Sequence, residues 1–490
     1  MNISTKLLIT TISKTTHSIS IFALSIILSR YFTKDEYGTY LHVQLIVNFA
    51  TWAFLLGLPH SVYYFLPRVA EQKKFVFTTL VVIIFISLFT SLLVFANTTA
   101  LSSLLSNPDL LKLGYVIALM VLFQIPLSLF EPLMITANKV KEFSQVEIFF
   151  NINLFVLVSI AVIYNATVSD ILLATAVLFS LRNAVLIYYA CKIAFSYAEN
   201  QEGEHYKFKQ QLDYSLPIGL SMGVIEVSRY TDRVIVSNQT NPEDYAVYTR
   251  GAMEIPVVSI LANTLDNLMM PRFVESYKNK RADEILDTWH SMIRLMAVFI
   301  YPCCLFLIAS ASLLIPALFS DKYIGSIIIF QIYTLGLLTR ISTFNVIMRA
   351  IGKTRVILWI SLFSIALNLF LTIAFIEMWG LIGAPIATVI TTSLMRYAYL
   401  IGITYYLKVK MIEVIPWQAL GHSLIAAIIA SLPVLLLLEA AINVWVNLLI
   451  MALIYSVIYI LLVRRNRSLM AKEKELIRGI LPQKLKWLID

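Results

Sequence analysis

The sequence predicts an all-α integral membrane protein with about fourteen transmembrane helices. Three observations predict it. Hydrophobic residues make up 59% of the 490 and charged residues 14%, where a soluble domain carries about 25% charged residues. Mean hydropathy is +0.80. Apolar runs long enough to cross a bilayer, roughly 20 residues each, recur along the chain with short polar loops between them.

In order, the runs cover 8–29, 40–66, 76–97, 113–136, 146–165, 170–192, 213–238, 252–271, 288–319, 326–349, 356–377, 382–406, 416–438 and 442–463. The first is long and no small-residue cleavage site follows it, so it reads as a span and not a cleavable signal. The second contains Gly57-Leu-Pro59 and the seventh Pro217-Ile-Gly219. Both pairs can bend a helix; such bends act as hinges in alternating access, though a static kink is the commoner use. The ninth run is too long for one straight span, and Pro302 and Pro316 suggest a kink or an interfacial extension. Beyond Val463, Leu476, Ile477, Ile480 and Leu481 recur at helical spacing among lysines, with Trp487 after them. This tail reads as an amphipathic helix on an anionic membrane face.

The loops alternate in charge. Arg68, Lys73 and Lys74 follow the second span, Lys139 and Lys141 the fourth, Arg349, Lys353 and Arg355 the tenth, and Arg464, Arg465 and Arg467 the last. The opposite loops are poor in Lys and Arg. The positive-inside rule then puts both termini in the cytoplasm. The net charge of +9 is thereby a topology signal and not a nucleic-acid surface. Cys191, Cys303 and Cys304 form no disulfide or metal framework. There is no P-loop and no metal-ligand spacing. The loops near 193–212 and 272–287 are short for a glycosyltransferase, and the longest opposite loop, near 98–112, is short for a polymerase or ligase.

The chain repeats itself. SRYFTKDEYGTY (29–40) aligns without gaps to SNQTNPEDYAVY (237–248) at an offset of 208 residues. Pro67-Arg68 matches Pro271-Arg272, Lys139 matches Lys353, and Arg182 matches Arg396, with offsets between 204 and 214. The organisation this predicts is an N-terminal six-helix bundle (1–195), a cytoplasmic linker (196–212), a second six-helix bundle (213–410), two additional spans (411–463) and the basic tail (464–490). An even number of spans per half gives a parallel repeat, and transporters built this way hold substrate between the halves.

The signature segment after a first span, the paired six-span halves, the two extra spans and the short basic loops resemble the Wzx-type polysaccharide and O-antigen flippases. These belong to the multidrug/oligosaccharidyl-lipid/polysaccharide exporter superfamily. The resemblance covers the whole chain in organisation, and in motif only the dozen residues 29–40. It implies two six-helix bundles in a pseudo-twofold V around a cavity, in a bacterial inner membrane. It implies that an undecaprenyl-pyrophosphate-linked oligosaccharide is turned from the cytoplasmic to the outer leaflet. It also implies a proton or sodium gradient in place of a cofactor, and polymerase and chain-length partners.

Charges inside the spans are the chemistry on offer. Arg229, Arg233, Arg340, Arg182, Arg396 and Lys14 are candidates for a cationic lumen. At bilayer depth such groups cost at least ~2.5–3.5 kcal/mol unless they face protein or water, and Arg can grip a diphosphate with two parallel bonds. Arg229 and Arg233 share one helix face and align with Ile21 and Ser25 of the first half, so they answer a demand on one half only. Arg182 and Arg396 match across the repeat, which favours a packing role for both. Lys14, near a span end, can snorkel. Glu226, Asp232 and Asp266 are candidate ion-coupling acids, and Asp232 and Asp266 serve equally as salt-bridge partners. His17 could titrate near neutral pH or simply hydrogen-bond a neighbour. Two other readings are a multidrug exporter of the same superfamily, which would line its cavity with acids, and a scaffold recruiting partners through its tail.

Overall fold

The computed structural model describes residues 3–196, 205–253, 256–341, 344–440 and 442–465. Among these every regular element is helical. The chain divides into two compact units, 1–246 and 247–490.

The first unit contains α1 (Ile3–Tyr31), α2 (Lys34–Phe54), α3 (Leu58–Phe65), α4 (Gln72–Ala96), α5 (Thr98–Leu104), α6 (Leu110–Leu127), α7 (Phe130–Thr136), α8 (Val140–Ile163), α9 (Val168–Ser196) and α10 (Phe208–Gln239). α11 (Pro242–Gly251) contains the boundary. Within the unit α1 lies on α8, α6 on α4 and α9, and α10 on α2 and α3. The acids of the duplicated segments now have a local cause. Thr33 caps α2 through a reciprocal box: the Glu36 N–H donates to Thr33 Oγ1 at 3.3 Å, and the Thr33 N–H to Glu36 Oε2 at 2.9 Å. In the second copy Asn241, at the position of Thr33, accepts the Asp244 N–H at 2.8 Å. Asp35, Glu36, Glu243 and Asp244 all fall in a first helical turn, where the helix dipole favours negative charge.

Two predicted spans are broken. α2 and α3 meet at 45°, with Leu56 at φ 50° and Gly57 at φ 69°. The run 113–136 divides into α6 and α7 just after Pro126. Proline has no N–H, so the Leu122 carbonyl one turn earlier loses its helical partner. The Ser87 hydroxyl of α4 donates to that carbonyl instead. Asn183 of α9 donates to the next one, Phe123 O, at 2.6 Å.

The second unit contains α12 (Pro256–Lys278), α13 (Ala282–Phe319), α14 (Ser326–Leu337), α15 (Asn345–Ala350), α16 (Thr354–Trp379), α17 (Gly383–Leu407), α18 (Met411–Val414), α19 (Trp417–Leu436) and α20 (Val444–Arg465). α13 resolves the overlong ninth run as one uninterrupted helix of 38 residues with Pro302 and Pro316 inside it. At 1.5 Å per residue it reaches ~57 Å, beyond the ~30 Å hydrocarbon core. It is thus long enough for its charged first turns to extend past such a core. The predicted run 326–349 is again two pieces, α14 and α15.

The core of the second unit is centred on α13, which packs against α12, α14, α19 and α20. Trp289 is wholly buried between Phe273 and Phe344. The Tyr459 hydroxyl donates to Val298 O at 3.0 Å, and Tyr455 lies against Phe306. The two spans outside the duplication are thus docked on α13.

Among the described residues eight stretches are, by length and composition, long and apolar enough to cross a membrane, or nine with α2 and α3 taken as one bent span. One of them, Arg355–Leu407, has 53 residues, far more than one crossing needs; it holds both α16 and α17. The chain is built as a multi-pass membrane protein. Residues 466–490, with the predicted amphipathic tail, and residues 197–204 of the linker lie outside the described part.

Candidate functional site

In the first unit two of the predicted cations, Lys14 and Arg182, are brought to carboxylates. Lys14 of α1 pairs with Glu131 of α7 at 2.7 Å, with the lysine side chain 65% exposed. Arg182 of α9 forms an ion pair with Glu147 of α8, and the two side chains are only 13% and 14% exposed. One turn along α8, Asn151 Oδ1 lies 2.9 Å from His17 Nδ1 of α1. Ser144, Glu147 and Asn151 recur at i, i+3 and i+7, so α8 presents one polar stripe to α1 and α9. Glu147 was not among the sequence candidates: at the predicted edge of the span 146–165 it passes for an interfacial acid.

α10 carries the densest charge. Asp232 is buried and accepts the Arg233 backbone N–H at 2.8 Å. The Arg233 guanidinium lies 5.6 Å from the centroid of the Tyr230 ring. Glu226 is half-buried. The side chains of Arg229 and Asp266 lie outside the described part of the structure.

The two duplicated segments meet within the first unit. Lys34 pairs with Glu243 at 3.0 Å. Gly38 is so close to Pro242 that any Cβ would overlap its carbonyl. Behind this contact His42 is wholly buried. Its Nε2 is 2.7 Å from Ser237 Oγ, its Nδ1 3.0 Å from Asn107 Nδ2, and its ring stacks on Tyr245 at 4.3 Å. A lone histidine in an apolar span gave no signal of this. Only the fold shows that it joins the first copy to the second.

The two bending motifs also touch. A Cβ on Gly57 would lie 2.6 Å from the Gly219 backbone nitrogen, and one on Gly219 would overlap Leu56. α3 and α10 therefore cross backbone to backbone, which only glycine permits on both sides. Beside this crossing Gln211 Nε2 donates to Ser61 and Thr79 at 2.8 and 3.0 Å, and its Oε1 accepts from the Tyr206 hydroxyl at 2.6 Å. This anchors the end of the linker to the unit.

The second unit treats its cations differently. Arg396 of α17 donates to Gly336 O at 3.2 Å and to the Thr339 hydroxyl. Both belong to the C-terminal end of α14, where exposed carbonyls favour a cation. Arg340, half-buried in the α14–α15 break, lies near enough for its charge to act on Arg396. Among the described residues no carboxylate forms a salt bridge with either. Arg182 and Arg396 occupy matching places in the repeat, yet one is neutralised by a carboxylate and the other stands beside a second guanidinium. Arg396, held by neutral groups with the charge of Arg340 acting on it, can take an anion with charge to spare.

The family description "polysaccharide biosynthesis protein" matches residues 27–328, a span that takes in both duplicated segments. No curated protein matches the chain. Among solved structures it is similar to the lipid II flippase MurJ in an inward closed conformation. The TM-score is 0.72 at 17% identity, covering 96% of this chain and 100% of that one. It is also similar to an inward-facing multidrug resistance MATE family transporter of the MOP superfamily, with TM-score 0.61 at 12% identity over 80% and 94% of the two chains. A MOP superfamily transporter from Pyrococcus furiosus gives 0.53 at 11% identity over 82% and 94%. At these identities the likeness establishes a shared transporter fold and nothing finer.

Proposed function

Since the chain belongs to the polysaccharide biosynthesis protein family, we propose that it is a Wzx-type flippase. In this reading it turns an undecaprenyl-pyrophosphate-linked oligosaccharide from the cytoplasmic to the outer leaflet by alternating access, for O-antigen, capsule or a related surface polymer. The membrane is the bacterial inner membrane, both termini are cytoplasmic, and an ion gradient drives the cycle.

The observation that carries this reading is the uncompensated pair Arg340 and Arg396. A transporter of cationic drugs would be expected to place acids at such a position; two guanidiniums suit a diphosphate. Arg229 and Arg233 extend the positive set on sequence grounds. Lys14 and Arg182, already matched to Glu131 and Glu147, serve as framework charges in this account. Glu226, Asp232, Asp266 and His17 remain proposed as ion-coupling groups, with His17 also held to Asn151.

The test is reconstitution in liposomes with a fluorescent polyprenyl-diphosphate oligosaccharide, read as the fraction of sugar that changes leaflet. The unaltered protein should move it, and Arg340→Ala with Arg396→Ala should slow it at least about tenfold, the worth of one charge-assisted bond. Transport of a cationic dye instead, with the sugar-lipid untouched, would replace this reading by the drug exporter.

A further inference from the structure

The break between α6 and α7 opens a crevice of about 230 Å³ in the first unit, lined by residues of α4, α6, α7 and α9 that include Leu80, Ile83, Phe123, Leu133, Leu186 and Ala190. Its polar side chains offer a ligand little. The Ser87 hydroxyl and the Asn183 amide are turned onto the Leu122 and Phe123 carbonyls. The crevice opens on the surface of the unit, since Ile84 and Ile187 line it and are 40% and 44% exposed. Phe85, Leu88 and Tyr188 continue the same exposed apolar surface. The helices around it are of membrane-crossing type, so hydrocarbon is the solvent at its mouth.

One end of the crevice is marked by charge. Ala190 lies two residues before Lys192 and Leu80 seven after Lys73, which is ~3–11 Å along the helices, and Lys139 follows Leu133 by six residues, just past the end of α7. Lys73, Lys141 and Lys192 are exposed. The Lys73 ammonium sits 4.3 Å from the centroid of Phe195 and that of Lys192 5.9 Å from Tyr188, so both are drawn to this side of α9. Of the acids among the described residues there, Glu71 is taken by Lys74 at 3.1 Å, which leaves Glu142 beside Lys73, Lys139, Lys141 and Lys192.

We propose that this crevice is a binding site for an anionic membrane phospholipid, with one acyl chain in the crevice and the headgroup among Lys73, Lys139, Lys141 and Lys192. An apolar slot ending at a basic rim has the two chemistries of such a lipid in the right order. The bound chain braces the α6–α7 bend and with it Glu131, the partner of Lys14. The site is independent of the transport reading, because it uses none of the residues assigned to substrate.

The experiment uses the full chain in nanodiscs with phosphatidylglycerol carrying a photoactivatable group in one acyl chain. Labelling should concentrate on 80–87, 122–133 and 183–190, and the same acyl probe on a phosphocholine headgroup should label these peptides several-fold less. Lys73→Gln with Lys192→Gln, both at exposed positions, should erase the headgroup preference by roughly fivefold per lysine. Ala190→Leu should block labelling of the crevice while labelling elsewhere persists. Equal labelling by both headgroups, labelling spread evenly over the apolar surface, or selective labelling by a photoactivatable polyprenyl diphosphate would each overturn the proposal.

Discussion

Arg182 and Glu147 show what a buried pair is worth. Removing one partner leaves a charge in a low-dielectric site, at a cost of roughly 3–5 kcal/mol, while replacing both by apolar groups of similar volume is close to neutral. Arg182→Ala should therefore lower thermal stability in detergent sharply, and Arg182→Met with Glu147→Leu should restore most of it. A double variant as unstable as the single one would show that the pair does more than neutralise itself. Arg396 differs, because its partners are a carbonyl and a hydroxyl. Arg396→Ala should cost about 1.5–3 kcal/mol of stability, less than the single Arg182 variant, so its loss should appear in transport before it appears in melting. His42 gives a third case. With its two ring nitrogens on Asn107 and Ser237, a double-mutant cycle of His42→Ala and Ser237→Ala should return a coupling of about 1 kcal/mol. A coupling near zero would remove this bond from the account of how the duplicated segments are joined. The Lys34–Glu243 pair is more exposed and should contribute less and fade with salt.

At the level of elements the backbone crossing of α3 and α10 is the sharpest test. Gly219 and Gly223 lie four residues apart in one helix. A Cβ at 219 would overlap Leu56, whereas one at 223 meets nothing within 4 Å. Gly219→Ala should cost about 1–3 kcal/mol as an overpacking change. Gly223→Ala should be neutral or gain up to about 1 kcal/mol from helix propensity. Thermal melts of the two variants check this, and equal behaviour would mean that the helices do not pass this closely. The α6–α7 break follows the same logic in reverse: there a proline opens the ladder and two neighbouring helices close it with side chains.

For the whole molecule, the alternation of basic loops predicts where the ends lie. Alkaline phosphatase fused after Arg465 or before Met1 should be inactive, and a fluorescent protein at either place should fold and shine, as expected for cytoplasmic ends. An active phosphatase at either end would break the topology. It would also move the basic rim of the proposed lipid site to the other leaflet.

What could be read from the chain directly is what depends on near neighbours. Hydropathy marked the membrane class and the spanning runs. The acids at 35, 36, 243 and 244 are local because a helix start needs its own cap, and Gly57 announced a bend because φ freedom belongs to a single residue. Partnership was beyond reach. Nothing near Arg182 announces Glu147, 35 residues earlier, nothing near Arg396 announces that a carbonyl and a hydroxyl would hold it instead, and the contact of Gly57 with Gly219 exists only once α10 lies on α3. A buried charge is settled by whatever the fold packs beside it, and that is information no short window of sequence holds.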